Sequence, residues 1–153
     1  MSIESVKAFF AAHAPDVIVL EYEVSTATVA LAAAALNVEE GQIAKTLALR
    51  FGDTYALLVT AGHARLDNQK AKAAFGAKSK MLSPDETFAL TGHRVGGVCP
   101  FGLLTELPVF CDVSLQQYAE VYPAAGSSNS AVCLTPERLA GLVNAQWVDA
   151  CRS

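Results

Sequence analysis

The chain has no stretch approaching the roughly 18 consecutive apolar residues of a membrane-spanning helix. Its most apolar run, Val29 to Leu36, is mostly alanine and reads as a buried helix. Cys-x-x-Cys spacing is also missing. The four cysteines fall at positions 99, 111, 133 and 151 with no histidine at ligand distance, which argues against a zinc site, and no other metal or cofactor is expected. Basic excess is absent too. Eleven Lys and Arg against fifteen Asp and Glu give a formal net charge of -4. That argues against a protein that wraps DNA or RNA, but not against one that touches only the tip of an RNA. The first residues, with Ser2, Glu4, Ser5 and Lys7, lack the basic head and small-residue exit of a secretion signal. A soluble, cytoplasmic protein with reduced thiols is the expectation, with no membrane partner.

What is present is core-forming material. Hydrophobic residues make up 52% of 153 positions and charged residues 17%, enough for one packed domain over residues 1–153 without repeat, linker or low-complexity tract. Apolar spacing predicts a helix over Ile3 to His13, and a β-branched run predicts a strand over Val17 to Glu23. Thr26 or Thr28 can cap the alanine helix, which Asn37 stops. Ile43 to Phe51 and Tyr55 to Thr60 flank Gly52-Asp53 and should form a hairpin. Asp67 to Phe75 reads as a helix closed by Gly76, and Lys78 to Leu82 as a short strand. Ser83-Pro84-Asp85-Glu86 is a capping box opening a helix that Gly92 ends. Strands are expected at Leu107 to Asp112, Val121 to Ala125, Ala131 to Leu134 and Gln146 to Asp149. A helical turn lies near Leu115 to Tyr118, and a last helix opens at Thr135-Pro136-Glu137. About seven strands and five helices in this order predict an α+β fold. Its sheet should be strongly twisted, mixed, largely antiparallel and barrel-like, with flanking helices.

Three features can carry chemistry. Strand alternation puts Lys45 on the bulkier apolar face of its strand, beside Ile43, Leu47 and Leu49. Either that face opens into a pocket that receives an anion or carbonyl, or the stem carries the ammonium out to water. Gly96-Gly97-Val98-Cys99-Pro100-Phe101-Gly102 concentrates special backbone angles, so its amides can form an oxyanion hole, or it is an ordinary turn. Ala124 to Ser130, with Gly126, Ser127, Ser128 and Asn129, is either a hairpin connection or a hydrogen-bonding pocket rim. Cys99 as a nucleophile needs an adjacent base, and no spacing ties His93 to it. The lysines between Lys70 and Lys80 can guide an RNA backbone or simply form a solvated face.

In order, these pieces resemble the YbaK family, the prolyl-tRNA-editing or ProX-like aminoacyl-tRNA deacylases. The carriers are Ala27 to Val38, Gly41-Gln42-Ile43-Ala44-Lys45-Thr46-Leu47, Arg65-Leu66-Asp67 and Gly76-Ala77-Lys78. Thr91 through Gly102 is the longest match, followed by Leu107-Pro108-Val109, the Gly126 loop and Thr135 to Leu139. The likeness covers about residues 20 to 142. It implies a pocket for the aminoacylated 3′ end of a transfer RNA. Within it, Lys45 matches the essential lysine and Gly97, Val98, Cys99 and Pro100 match the catalytic glycine-to-proline loop. Tyr22, Thr46, Gly96, Phe101, Gly102, Gly126, Ser127, Ser128 and Asn129 are the expected substrate contacts. Two departures stand out. Cys99 occupies a place where relatives often have serine. Ser127, Ser128 and Ala131 stand where cysteine-specific relatives carry basic and acidic residues.

The expected activity is trans-editing: hydrolysis of the 3′-end ester of a tRNA mischarged with a small amino acid such as alanine, serine or cysteine, by an activated water. A prolyl-tRNA synthetase or another synthetase is the expected protein partner. The competing readings are a non-catalytic aminoacyl-tRNA or synthetase-binding module, a thiol hydrolase using Cys99, and a structural subunit.

Overall fold

The structure, a computed structural model, describes residues 2–152. Its helices are α1 (Ser2–His13), α2 (Val29–Leu36), α3 (Asn68–Phe75), α4 (Pro84–Thr91) and α5 (Pro136–Leu142). Its strands are β1 (Leu20–Glu21), β2 (Ile43–Phe51), β3 (Thr54–Ala61), β4 (Arg65–Leu66), β5 (Ser79–Met81), β6 (Val109–Asp112), β7 (Tyr122–Pro123), β8 (Ser130–Ala131), β9 (Gln146–Val148) and β10 (Cys151–Arg152).

Local chemistry sets the helix ends. The Thr28 hydroxyl accepts from the Leu31 amide, and Asn37 closes α2 in the left-handed region at φ 58°. The Asp67 carboxylate accepts from the amides of Gln69 and Lys70 to start α3. Ser83 and Glu86 exchange the reciprocal bonds of a capping box at α4. No helix among the described residues is long and apolar enough to cross a membrane.

β2 and β3 form the expected hairpin, in register from Ala44 opposite Ala61 to Phe51 opposite Thr54. The main sheet runs β5-β2-β3-β6-β9, with β7 also beside β2. β3 to β6, β6 to β9 and β2 to β7 are parallel, because long crossovers carry the chain back in the same direction. The sheet is therefore mixed, as expected, but only its two β2 ladders, to β3 and β5, are antiparallel. It is also open. Among the described residues no pairing joins β5 to β9, which stand at opposite ends of the strand order, so barrel-like closure is not found.

Helices cover both faces. Val6 and Phe10 of α1 pack with Leu57, Val59, Phe101 and Leu139 on one face. Ala71 of α3 packs with Leu49, Leu58 and Val148 on the other. The Asp112 carboxylate, buried, accepts from the amides of Ser114 and Ala150 and ties the end of β6 to the β9–β10 corner.

Several strands are shorter than the sequence predicts. Val17 to Glu23 yields only β1, and the two strands around the late loop shrink to β7 and β8. β7 joins β2 and β8 joins β1, while antiparallel bridges from Val121 to Leu134 and from Ala124 to Ala131 link the two segments across the loop. β4 and β10, paired antiparallel, were not expected.

Candidate functional site

One edge of β2 is incomplete. β7 covers Ile43 and Ala44, and β5 covers Leu49 to Phe51. Among the described residues, Lys45 to Leu47 have no strand neighbour on that side. In an antiparallel strand the N–H and C=O of one residue point to the same side and alternate along the chain. The Ala48 carbonyl accepts from the Leu82 amide, across on the β5 side. Two residues back, the N–H and C=O of Thr46 therefore face the gap.

A cavity of about 330 Å³ opens over this gap, walled by Ala27, Ala32, Ala44, Ala48, Tyr122, Gly96 and Val98. Lys45, Thr46, Gly96 and Val98, all predicted site residues, meet there. The only ionisable side chains in its lining are Lys45 and Tyr122. Burial pulls the Lys45 ammonium below the usual lysine range, and Arg65 adds to the effect while Cys151 opposes it. In this structure the ammonium donates to the Ala64 carbonyl at 2.5 Å, not to any group of the glycine loop. Hydrogen bonding to Cys133, together with burial, pushes the Tyr122 phenol up to about 12, so it stays a neutral donor at physiological pH.

Thr26 and Thr46 stand in the cavity wall with their hydroxyl oxygens buried and unpartnered. Thr26, Tyr122 and Ser130 were not among the predicted contacts, apart from Thr26 as a possible helix cap. The cap is Thr28, which frees Thr26 for the wall. Only a buried hydroxyl left without a partner marks it, and a sequence does not show that.

The glycine loop is shaped by backbone packing. A Cβ on Gly97 would lie 2.7 Å from the Ser127 nitrogen and 2.7 Å from the Gly126 carbonyl carbon. Gly126, at φ +93°, and Gly102, at φ +59°, would place theirs 2.8 Å from the Ser2 oxygen and 2.5 Å from the Ser5 oxygen. These glycines let two loops and the start of α1 come together. The Gly97 amide donates to the Arg94 carbonyl, and the Gly126 amide to the Gly97 carbonyl. Pro100 has no amide proton. Between Gly97 and Pro100 the donors left are the amides of Val98 and Cys99, which have no acceptor among the described residues.

Cys99 and Phe101 are fully buried core residues, and Pro100 is buried with them. The structure does bring Cys99 and His93 together, with Sγ 3.6 Å from Nε2. Burial pushes the thiol up to about 12, so it is not a thiolate near neutral pH. His93 itself is buried. Its Nε2 donates to the Phe101 carbonyl at 2.7 Å, leaving Nδ1 to accept from the Ser2 hydroxyl. Burial lowers its pKa below the ordinary 6.5. It pins α1 to the loop as a neutral imidazole.

Gly97, Gly102, Gly126, Ser127 and Ser128 border a second, larger hollow of about 770 Å³ on the far side of the loop. Tyr22 and Asn129 line neither hollow. Their backbones are bridged at 2.8 Å, and the Asn129 amide group donates to the Tyr22 carbonyl at 2.9 Å. Among the described residues no group of His, Cys, Asp and Glu is disposed to hold a metal.

Against known proteins, residues 23–142 match the aminoacyl-tRNA editing domain family. The uncharacterised Bacillus subtilis protein YwhH is 45% identical over 99% of this chain and 98% of its own length. EbsC of Enterococcus faecalis, a candidate Cys-tRNA(Pro)/Cys-tRNA(Cys) deacylase, is 33% identical over 76% of this chain and 73% of its own. The crystal structure of a candidate trans-editing enzyme for prolyl-tRNA synthetase superposes with a TM-score of 0.92 at 33% identity, covering 99% of this chain and 98% of the other.

Proposed function

The chain belongs to the aminoacyl-tRNA editing domain family, and on that premise we propose that it hydrolyses the ester between a small amino acid and the 3′ end of a transfer RNA. The observation that carries this is the 330 Å³ cavity, where the free edge of Thr46, the Val98 backbone and a wall of alanines converge. The amino acid's ammonium faces the Thr46 carbonyl. Its ester carbonyl faces the amide of Val98, which receives the developing oxyanion. A water oxygen adds to the ester carbon, the bond to the ribose oxygen breaks, and the water's proton ends on that oxygen. Free amino acid and uncharged tRNA leave.

The cavity lining offers no carboxylate or imidazole to act as base. Water activation therefore falls to the substrate, through its ribose hydroxyl or amino-acid side chain, and positioning supplies the rate. Lys45 swings from the Ala64 carbonyl to the terminal nucleotide or the ester carbonyl. Pocket size selects alanine, serine or cysteine, since a small pocket rejects large side chains better than smaller ones. Likeness to EbsC and to the prolyl editing enzyme makes tRNA(Pro) the first substrate to test and a prolyl-tRNA synthetase the first partner.

The missing base also favours a second reading, a module that binds charged tRNA without hydrolysing it. A panel of tRNA(Pro) charged with alanine, serine or cysteine separates the two. Acceleration of ester loss over the spontaneous rate is expected, with Lys45→Ala slower by about 10- to 150-fold, the worth of one hydrogen bond to a charged group. Equal turnover by wild type and Lys45→Ala removes the lysine from the mechanism. Binding without acceleration on every member establishes the module instead.

A further inference from the structure

The ridge between the two hollows carries an unexplained pair of side chains. On α4, Thr87 faces the first cavity and its neighbour Phe88 the second. Val95 borders both, and Gly96 and Gly97 part to either side. On the outer slope the Arg94 guanidinium lies 4.1 Å over the Phe88 ring. Phe88 is 38% exposed and Val95 66% exposed. Among the described residues no carboxylate pairs with Arg94, although the chain is acidic overall.

An exposed ring with an unpaired guanidinium stacked on it has little structural use. It is the arrangement by which proteins hold an unpaired nucleobase: planar groups for the base, and a fixed positive charge for the phosphate beside it. Continuity with the first cavity fixes the occupant. If the terminal, aminoacylated nucleotide enters that cavity, the chain leading to it crosses the ridge at Val95, and the next base arrives at Phe88 and Arg94. We propose that Phe88 and Arg94 form a stacking platform for the unpaired nucleotide preceding the aminoacylated one. This rests on the proposed function and adds to it a site for a second nucleotide.

The test extends the substrate one nucleotide at a time. Ester loss is measured for aminoacyl-adenosine, then for the aminoacylated dinucleotide CA, on wild type, Phe88→Ala and Arg94→Lys. Adding the nucleotide should raise kcat/KM of the wild type by about 5- to 150-fold, the range for one stacked base. In Phe88→Ala that increment shrinks towards one, while hydrolysis of aminoacyl-adenosine stays at its wild-type rate. Arg94→Lys keeps the charge but loses the plane, so it should lose most of the increment too. An unchanged increment in both variants overturns the platform, as does an equal loss on both substrates. A parallel measurement, binding of the trinucleotide CCA, separates this proposal from the deacylase reading. If the wild type hydrolyses neither ester yet binds CCA more tightly than Phe88→Ala does, the platform stands and the hydrolase falls. Equal CCA binding by the two proteins overturns the platform whatever the hydrolysis result.

Discussion

Replacing Thr46 with valine should make the protein more stable and less active at once. The Thr46 hydroxyl is buried without a partner, while its cross-strand neighbour is the apolar Val59. An unsatisfied buried polar group costs about 1–3 kcal/mol. Valine keeps the β-branched shape that suits a strand and replaces the hydroxyl with a methyl. For a chain of this length, each 1 kcal/mol moves Tm by about 2–4 °C. A rise of at least that size is expected in a calorimetric melt of Thr46→Val. A similar rise follows for Thr26→Val, and the two add unless the sites are coupled. If the hydroxyl engages substrate, kcat/KM on charged tRNA drops by about 3- to 10-fold, the net worth of one hydrogen bond. A lower Tm for Thr46→Val refutes the reasoning, because it means that the hydroxyl is already bonded in the free protein.

Gly97→Ala should destabilise the protein by about 3 kcal/mol, the upper end for overpacking, because the new methyl meets backbone atoms that cannot yield cheaply; chemical denaturation reads this directly. His93 predicts a pH effect. Its pKa in the folded state lies below the ordinary 6.5, so the unfolded chain takes up the proton first. Its contribution is complete above about pH 6.5 and is lost as pH falls towards the folded value; His93→Gln should flatten the slope of stability against pH in that window. Cys99 should resist iodoacetamide at pH 8 in the native protein while the half-exposed Cys133 reacts first, as peptide mapping would show. Faster labelling of Cys99 would mean that its thiol is accessible after all.

The caps and the β2–β3 hairpin were readable because their signals are local. Ser83 and Glu86 stand three residues apart, and Gly52-Asp53 sits between two extended runs. The anomaly at Lys45 was also readable from alternation, since strand parity places it on the Leu47 and Leu49 face and the structure keeps it there. What stayed hidden depends on contacts between distant segments. Gly102 and Gly126 looked like ligand-facing glycines, yet their backs lie against Ser5 and Ser2 of α1, some 97 and 124 positions earlier. Nothing local to either loop says which backbone approaches it. The nearness of Cys99 to His93 had no sequence spacing to announce it, and two-residue strands such as β4 and β10 are too short to show a period. The gap in β2 was illegible for the same reason. It exists only because β7 and β5, separated by some 40 residues of chain, stop short of each other.

That gap has a bearing on solubility as well as on recognition. Three free residues of strand span about 10 Å, and the neighbouring strands stand at both ends like bookends. A foreign polypeptide seeking to extend the sheet there would find no room to lie down, whereas the proposed function asks only that one amino acid, tethered through its carboxyl group, enter end-on. At this place raw backbone stays on offer without the length of free strand through which an open margin pairs with another chain.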